Sequence, residues 1–236
     1  MRLDEYLVQN QLLSSRSKAN RFIREVGVLI NGNLIKKPAY LLKLMDRVEI
    51  NEKILKNYEK PLGYHKLEWL VLNSPLSFGS EDLCLDLGAS AGGFSIFMLE
   101  RTESVLAIEI SPQFEPFLKD IKNKYSNFSY KIANFFDMTL KDFPHLFSVI
   151  TADLTLDPYF LIQNLDLFPP LLKEKTKTQA RLLLNIKTGI ITQIQDLTGI
   201  IEKKVKQLFQ NPSCSWIESV PGKQELFLLI LCPSNR

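Results

Sequence analysis

Hydrophobic and polar positions alternate with two different rhythms along the chain. From residue 64 onward, apolar runs of strand length alternate with longer segments of helical spacing. Leu83, Cys84, Leu85 and Leu87 form a run suited to a strand buried on both faces. Similar runs predict strands at 104–109, 128–132, 147–153, 180–186, 214–219 and 225–232. Helical spacing predicts helices at 93–101, 113–123, 159–173 and 194–209. This alternation implies an α/β fold with a parallel sheet and right-handed crossovers. The last two strands are separated by a short Pro221-Gly222 turn, so they are expected to pair antiparallel.

Before residue 50 the rhythm is tighter. Leu3, Tyr6 and Leu7 give a short amphipathic helix over Arg2–Gln9, and Ser14 or Ser15 can cap a second helix over Arg16–Val26. Gly27 suits the C-cap. Val28-Leu29-Ile30 then meets Asn31-Gly32, a hairpin signal, and Arg47–Ile50 can supply a further strand. Residues 51–63 are polar and rich in breakers. The expected layout is a small α+β domain at 1–55, a linker at 56–63 and a larger domain at 64–236.

Composition narrows the class. The chain has 236 residues, 45% hydrophobic and 23% charged, as in a globular protein. Its longest apolar run, Leu226–Cys232, is far too short to span a bilayer, and the first residues carry no apolar signal core, so a cytoplasmic location is expected. Three scattered cysteines suggest no disulfide framework. His65 and His145 form no ligand spacing, so no metal is expected. The net charge is +3, but residues 1–55 hold ten Lys/Arg against six Asp/Glu, which places an anionic partner there. Arg16, Lys18, Arg21 and Arg24 share one helix, and Lys36 and Lys37 follow the hairpin. They read either as RNA contacts or as a solvated face.

The candidate chemistry lies where the strand at 83–87 ends. Asp86 and Gly88 close it, and Gly92 and Gly93 open a helix. Glycines allow a ligand close to the backbone, and a helix N-terminus offers free N–H groups. The loop is neither Gly-x-Gly-x-x-Gly nor a phosphate loop. Glycine turns also join strands to helices in α/β domains that bind nothing here. Glu109 ends the next strand, where an acid can accept from both hydroxyls of a ribose. Asn134 follows the third strand, where an amide can read an adenine edge. Asp153 and Lys187 end two further strands and point into the same crevice. A lysine closing so apolar a strand either serves the site or snorkels to solvent.

Two resemblances fit these residues. Arg2-Leu3-Asp4-x-x-Leu7, Ser15-Arg16-Ser17-Lys18-Ala19, Val28-Leu29-Ile30-Asn31-Gly32 and Lys37-Pro38 resemble the ribosomal S-four-type RNA-binding domain, which implies docking of the basic helix onto structured RNA. Asp86-Leu87-Gly88-Ala89-Ser90-Ala91-Gly92-Gly93-Phe94-Ser95 resembles the first motif of the FtsJ-type RNA ribose 2′-O-methyltransferases, and the two together resemble the TlyA-type hemolysin/rRNA methyltransferases. The resemblance implies a Rossmann-like, seven-stranded, class I S-adenosylmethionine (SAM) methyltransferase sheet with an antiparallel last strand. It implies SAM contacts at Asp86, Gly88, Ser90, Gly92, Gly93, Phe94, Glu109, Asn134 and Asp153. It also implies a Lys-Asp-Lys-Glu tetrad at Lys66, Asp153, Lys187 and Glu225. Two segments depart from the TlyA type. Leu62-Gly63-Tyr64-His65 stands in place of Ser-Arg-Gly-Gly, and Lys187-Thr188-Gly189-Ile190 in place of Lys-Pro-Gln-Phe-Glu.

A ribose 2′-hydroxyl is a weak acid, so methylating it requires removal of its proton or stabilisation of its anion. A buried lysine beside another cation can have its pKa lowered enough to act as a base. Lys187 is expected in that role, with Lys66 lowering its pKa and Asp153 and Glu225 orienting the lysines. The expected activity is therefore SAM-dependent 2′-O-methylation of RNA, with rRNA the expected substrate. A non-catalytic RNA-binding or ribosome-assembly factor, and a hemolysin, are the alternatives.

Overall fold

The computed structural model describes residues 1–173, 179–189, 194–219 and 224–232, and the chain divides into two units, Met1–Lys60 and Pro61–Arg236. In the first unit, helices α1 (Leu3–Gln9) and α2 (Arg16–Glu25) share a core with strands β1 (Val28–Ile30), β2 (Asn33–Ile35) and β3 (Val48–Glu49), ordered β2-β1-β3. The Ser15 hydroxyl accepts from the Lys18 N–H, capping α2. Asn31 and Gly32 have φ of 50° and 78°, the left-handed pair of a two-residue hairpin turn. Buried Asp4 is gripped by Arg2 and Arg16, which hold its carboxyl well below the usual carboxylate range.

The segment expected as a linker begins inside a helix, α3 (Glu52–Glu59), capped by the Asn51 side chain. Leu55 is buried in the first unit's core, the Tyr58 ring meets Phe22 edge-on at 5.1 Å, and Glu59 pairs with Lys18 at 2.8 Å. The polar residues of this stretch are the outer face of an amphipathic helix whose inner face is only two side chains wide. That is too little apolar signal to distinguish it from a loop.

The second unit begins with α4 (Leu62–Leu72). It continues through β4 (Leu83–Leu87), α5 (Gly93–Leu99), β5 (Ser104–Glu109), α6 (Glu115–Lys124), β6 (Phe128–Ile132) and β7 (Val149–Ala152). It then runs through α7 (Pro158–Gln163), β8 (Ala180–Lys187), α8 (Ile194–Leu208), β9 (Ser213–Glu218) and β10 (Glu225–Cys232). The seven strands are ordered β6-β5-β4-β7-β8-β10-β9. Those from β6 to β8 pair parallel, while β10 pairs antiparallel with both β8 and β9. This is the Rossmann-like sheet expected from the sequence. The Pro221-Gly222 turn lies outside the described residues. The helix expected at 159–173 stops at Gln163 and gives way to single 3-10 turns at Leu165–Leu167 and Pro169–Leu171. Pro169 and Pro170 lack the N–H groups that a continuing helix needs.

Alternation along the strands sorts the core onto two faces. Leu85, Ile108, Ile150, Leu184 and Leu228 face α7 and α8. Cys84, Val105, Ala107, Leu183 and Phe227 face α4, α5 and α6. Strand order reverses direction beside β4, between β5 and β7, and the carboxyl ends there open a crevice. At the opposite edge, buried Arg181 pairs with Asp82 at 2.5 Å, and Ser148 and Gly79 donate to the same carboxylate. That cluster ties β4 to β7 and β8 at their starts.

Gly92 has φ of 76° and serves as the left-handed N-cap of α5. Gly93 answers a packing constraint. A Cβ there would lie 2.7 Å from Gly63 Cα and from the Tyr64 nitrogen, backbone atoms that cannot swing away. Gly93→Ala should therefore cost about 1–3 kcal/mol through overpacking. Gly199→Ala, at an exposed site in α8 with no atom within 4 Å, should stabilise by about 0.5–1 kcal/mol. Denaturant unfolding of the two variants checks the opposite signs.

Candidate active site

Four charged side chains from four elements meet at the carboxyl edge of the sheet. Lys66 comes from α4, Asp153 follows β7, Lys187 ends β8 and Glu225 begins β10. The register of β10 against β8 makes Glu225 and Lys187 direct partners, so an antiparallel strand delivers its first residue to an edge where its neighbours deliver their last. Lys66 Nζ lies 2.7 Å from Asp153 Oδ2 and 2.9 Å from Glu225 Oε1. Lys187 Nζ lies 3.1 Å from Asp153 Oδ1 and 2.6 Å from Glu225 Oε2. Cations and anions thus alternate around a closed ring, which the structure forms from the four residues expected to act together. The Lys66 ammonium also sits 4.8 Å over the Phe227 ring.

Burial opposes ionisation of Asp153, Glu225 and Lys187, and pairing decides the outcome. Desolvation pushes the Asp153 and Glu225 carboxyls up, but the lysines and the donors around them outweigh it and hold both below the usual range. Desolvation likewise pushes Lys187 down, yet its contacts with Glu225 and Asp153 leave it above the usual lysine value. This corrects the expectation that Lys66 depresses the Lys187 pKa. Two carboxylates contact Lys187 directly, and together they outweigh its desolvation.

Asp153 also lines a cavity of about 560 Å³ beside the ring. Of the expected cofactor residues, Gly88, Ser90, Glu109, Asn134 and Asp153 form its wall. Gly88 has φ of 77°, and a Cβ on it would come within 2.9 Å of the Asp153 carbonyl, so only glycine keeps this floor low. Buried Glu109 accepts the Ser90 N–H and the Ser111 N–H, one on each carboxylate oxygen at 2.8 Å, and these bonds fix its plane.

Asp86, Gly92, Gly93 and Phe94 are not in the cavity wall and play supporting parts. Phe94 is buried in the core. Asp86 accepts from Ser95 and Thr151, bracing β4 against α5 and β7, and burial pushes its carboxyl up to about 6. Asn134, in the cavity wall, accepts from the Phe136 N–H and donates to Asp137, which fixes the plane of its amide.

Sequence reasoning missed the apolar wall of Ile110, Phe114, Phe136, Leu156 and Phe160. Ile110 and Leu156 sit in loops after strand ends, Phe114 and Phe136 in single 3-10 turns and Phe160 on the short α7, so no shared periodicity marks them. It also missed Asn185, a buried amide within the apolar β8.

In the first unit, the expected RNA-contacting face is largely paired with its own domain. Arg16 contacts Asp4 and Glu5, and Lys18 contacts Glu59. Arg21 donates to the Tyr58 hydroxyl and stacks on that ring at 4.8 Å, while the hydroxyl donates to Glu25. Lys36 donates to the Glu25 carbonyl at the C-terminal end of α2, and Arg24 and Lys37 are exposed.

Comparison with known proteins places these features. The S4 domain model matches residues 1–48, and the FtsJ-like methyltransferase model matches residues 62–184. Hemolysin A of Brachyspira hyodysenteriae is 34% identical over 111 residues, 47% of this chain and 45% of that protein, so the match spans less than half of the relative. Among solved structures, Aeropyrum pernix fibrillarin in complex with natively bound S-adenosyl-L-methionine has a TM-score of 0.53 at 15% identity. It covers 71% of this chain and 75% of its own. A putative hemolysin from Streptococcus thermophilus has a TM-score of 0.51 at 19% identity, over 99% of this chain and 89% of its own. These two likenesses show the fold. No described helix is long and apolar enough to cross a membrane.

The ring predicts its own pH dependence. The carboxyls of Asp153 and Glu225 are depressed in the folded state, so their stabilisation is present above the ordinary carboxylate pKa and is lost as the solution is acidified. Lys66→Met leaves both carboxylates short of a cation and should destabilise by about 3 kcal/mol at neutral pH. The deficit should shrink as the pH falls below about 4. Urea unfolding of the variant and the parent at both pH values measures it.

Proposed function

The chain belongs to the FtsJ-like methyltransferase family, and we propose that it methylates a ribose 2′-hydroxyl of RNA, with ribosomal RNA as the substrate. The cofactor of the family is SAM, and the cavity fits it in kind. Its apolar aromatic wall suits a purine, and the fixed carboxylate of Glu109 suits a ribose diol. Asp153 brings negative charge to the end nearest the ring, where a sulfonium is favoured. Bound there, SAM supplies an electrophilic methyl group. What remains for the protein is to hold the hydroxyl and dispose of its proton.

The observation that carries this reading is the closed ring of Lys66, Asp153, Lys187 and Glu225 at the mouth of the cavity. Two ammonium groups can bracket one oxygen, and two carboxylates keep them in place and neutral as a set. With both of its carboxylate contacts made, Lys187 retains its proton. Seating a hydroxyl at its Nζ displaces one of those contacts. Covering the site with RNA deepens its burial, and both changes lower its pKa. Lys187 thus becomes a base on substrate binding. Lys66, buried against Phe227 and held by both carboxylates, stays as the orienting cation.

The first unit supplies RNA affinity. Of its basic residues, Arg24, Lys36 and Lys37 project charge from the end of α2 and the return of the hairpin and serve as phosphate contacts. Arg16, Lys18 and Arg21 add field while bracing the domain. The cytoplasm, where SAM and ribosomal RNA meet, is the proposed site of action.

Two measurements test the proposal. Transfer of radioactive methyl from SAM to ribosomal subunits should disappear in Lys187→Ala, and nearly so in Lys187→Arg, because guanidinium keeps its proton. The single-turnover rate of the parent should rise with pH and then level. Substantial activity in Lys187→Arg with an unchanged profile would instead make Lys187 a fixed cation. Separately, replacing Arg24, Lys36 and Lys37 together with Ala should lower the salt slope of rRNA binding by up to about 2–3. Lys18→Ala with Arg21→Ala should lower it less and cost more stability, as read by filter binding and thermal unfolding.

A further inference from the structure

We propose that Asn185 is a positioning residue for the ion-pair ring, an uncharged clip that keeps Asp153 and Glu225 together when Lys187 turns to a substrate hydroxyl. The proposal rests on the methyltransferase reading above. Its basis is one coincidence of atoms. Asn185 Nδ2 donates to Asp153 Oδ1 at 2.5 Å and to Glu225 Oε2 at 2.9 Å. These are the same two oxygens that Lys187 contacts at 3.1 Å and 2.6 Å. Asn185 precedes Lys187 by two residues on β8, so both side chains leave the same face of the strand. It is 2% exposed, among neighbours in β8 that are apolar apart from Arg181 and Lys187.

The orientation of the amide is determined. Turned the other way, its carbonyl oxygen would face two carboxylate oxygens. As placed, both Nδ2 hydrogens are used and Oδ1 is buried with no hydrogen-bond partner among the described residues. A buried polar atom without a partner is unfavourable, and an apolar residue would avoid it. The amide is therefore a cost to packing that its bridge between the carboxylates offsets.

The function of the bridge follows from the charges around it. Lys66 from α4 spans Asp153 Oδ2 and Glu225 Oε1, the outer oxygens of the two carboxylates. Ser219 donates to Glu225 Oε1, and Asp86 on β4 repels Asp153 from below. On the inner side, among the described residues, only Lys187 and Asn185 hold the two anions close. If Lys187 alone did so, its departure would leave two carboxylates to repel each other or to take up a proton. A neutral donor holds them without adding a titrating group beside the lysine.

The test uses the full chain, with Asn185→Leu and the isosteric Asn185→Asp. Carbon-13 NMR titration of the side-chain carboxyls without RNA should show Asp153 and Glu225 titrating about one unit higher in Asn185→Leu. Methyl transfer from SAM to ribosomal subunits should fall about tenfold or more in kcat, with the acid limb of the profile moved up and KM for SAM unchanged. Asn185→Asp places a third carboxyl against two and should hold one proton well above the usual range. Protonated, it has one O–H to give where the amide gave two N–H, so it can hold only one of the two carboxylates, and kcat should stay below that of the parent at every pH, with KM for SAM unchanged. Unchanged carboxyl titrations in Asn185→Leu, or a parent-like kcat in Asn185→Asp, would overturn the proposal. Because the titration needs no RNA, a parent protein that methylates no ribosomal RNA would remove the functional reading while still leaving Asn185 decided by NMR. If Asn185→Leu does not fold, Asn185→Asp decides through Asp153 and Glu225, which should titrate higher than in the parent, and unchanged values for both would overturn the proposal.

Discussion

The antiparallel seating of β10 between β8 and β9 is the constraint on which the site depends. A parallel sheet gathers the last residues of its strands at one edge, and Asp153 and Lys187 arrive that way. The second carboxylate of the ring comes from a strand running the other way, and Glu225 is the first residue of that strand. Registered opposite Lys187, it converts two ion pairs into a closed ring. Lys66 completes the set from α4, which comes close enough to α5 only because Gly63 and Gly93 meet without side chains. The glycine in the motif and the lysine in the ring are parts of one packing solution.

Charge balance explains why such a ring survives partial burial. Two cations and two anions in alternation lose hydration but gain neighbours of opposite sign on both flanks. The cluster at the other edge of the sheet makes a useful contrast. Asp82 there is met by Arg181, Ser148 and the Gly79 N–H, and is 1% exposed. Those bonds are spent within the protein. In the ring, the Lys187 side chain is 28% exposed and Asp153 22%, so its contacts can be exchanged for those of a substrate. The same pairing that stabilises the ring keeps the proton on Lys187. On the proposed reading, base chemistry at that lysine requires the displacement of one partner.

Much of this was legible in the sequence, for reasons that differ by residue. Strand runs such as Leu83–Leu87 and Ala180–Lys187 are long and apolar enough to identify themselves, and strand ends announce Glu109, Asp153 and Lys187. Ser15, Gly27 and Asn31-Gly32 signal local geometry that depends on nothing distant. What was not legible depends on the partner. The helix α3 was hidden because Tyr58 and Glu59 acquire meaning only against Phe22 and Lys18. Gly92, Gly93 and Phe94 sit inside a ligand-binding motif, yet their own contacts are with helices. The elevated pKa of Lys187 was inaccessible because it is a balance between burial and two carboxylates whose distances are set by register.

The basic helix shows the same limit from the side of charge. Four cations on α2 suggest a continuous surface for an anion, but three of them already serve as struts. Arg16 reaches the acids of α1, while Lys18 and Arg21 reach α3. A cation in such a pair still contributes to the field felt by an approaching phosphate, but it must give up a partner to make a direct contact. Arg24 and Lys37 carry no such penalty, and Lys36 gives up only a carbonyl. On the proposed RNA-binding reading, direct phosphate contact falls to the end of α2 and the return of the hairpin, and the paired residues brace the helix that presents them.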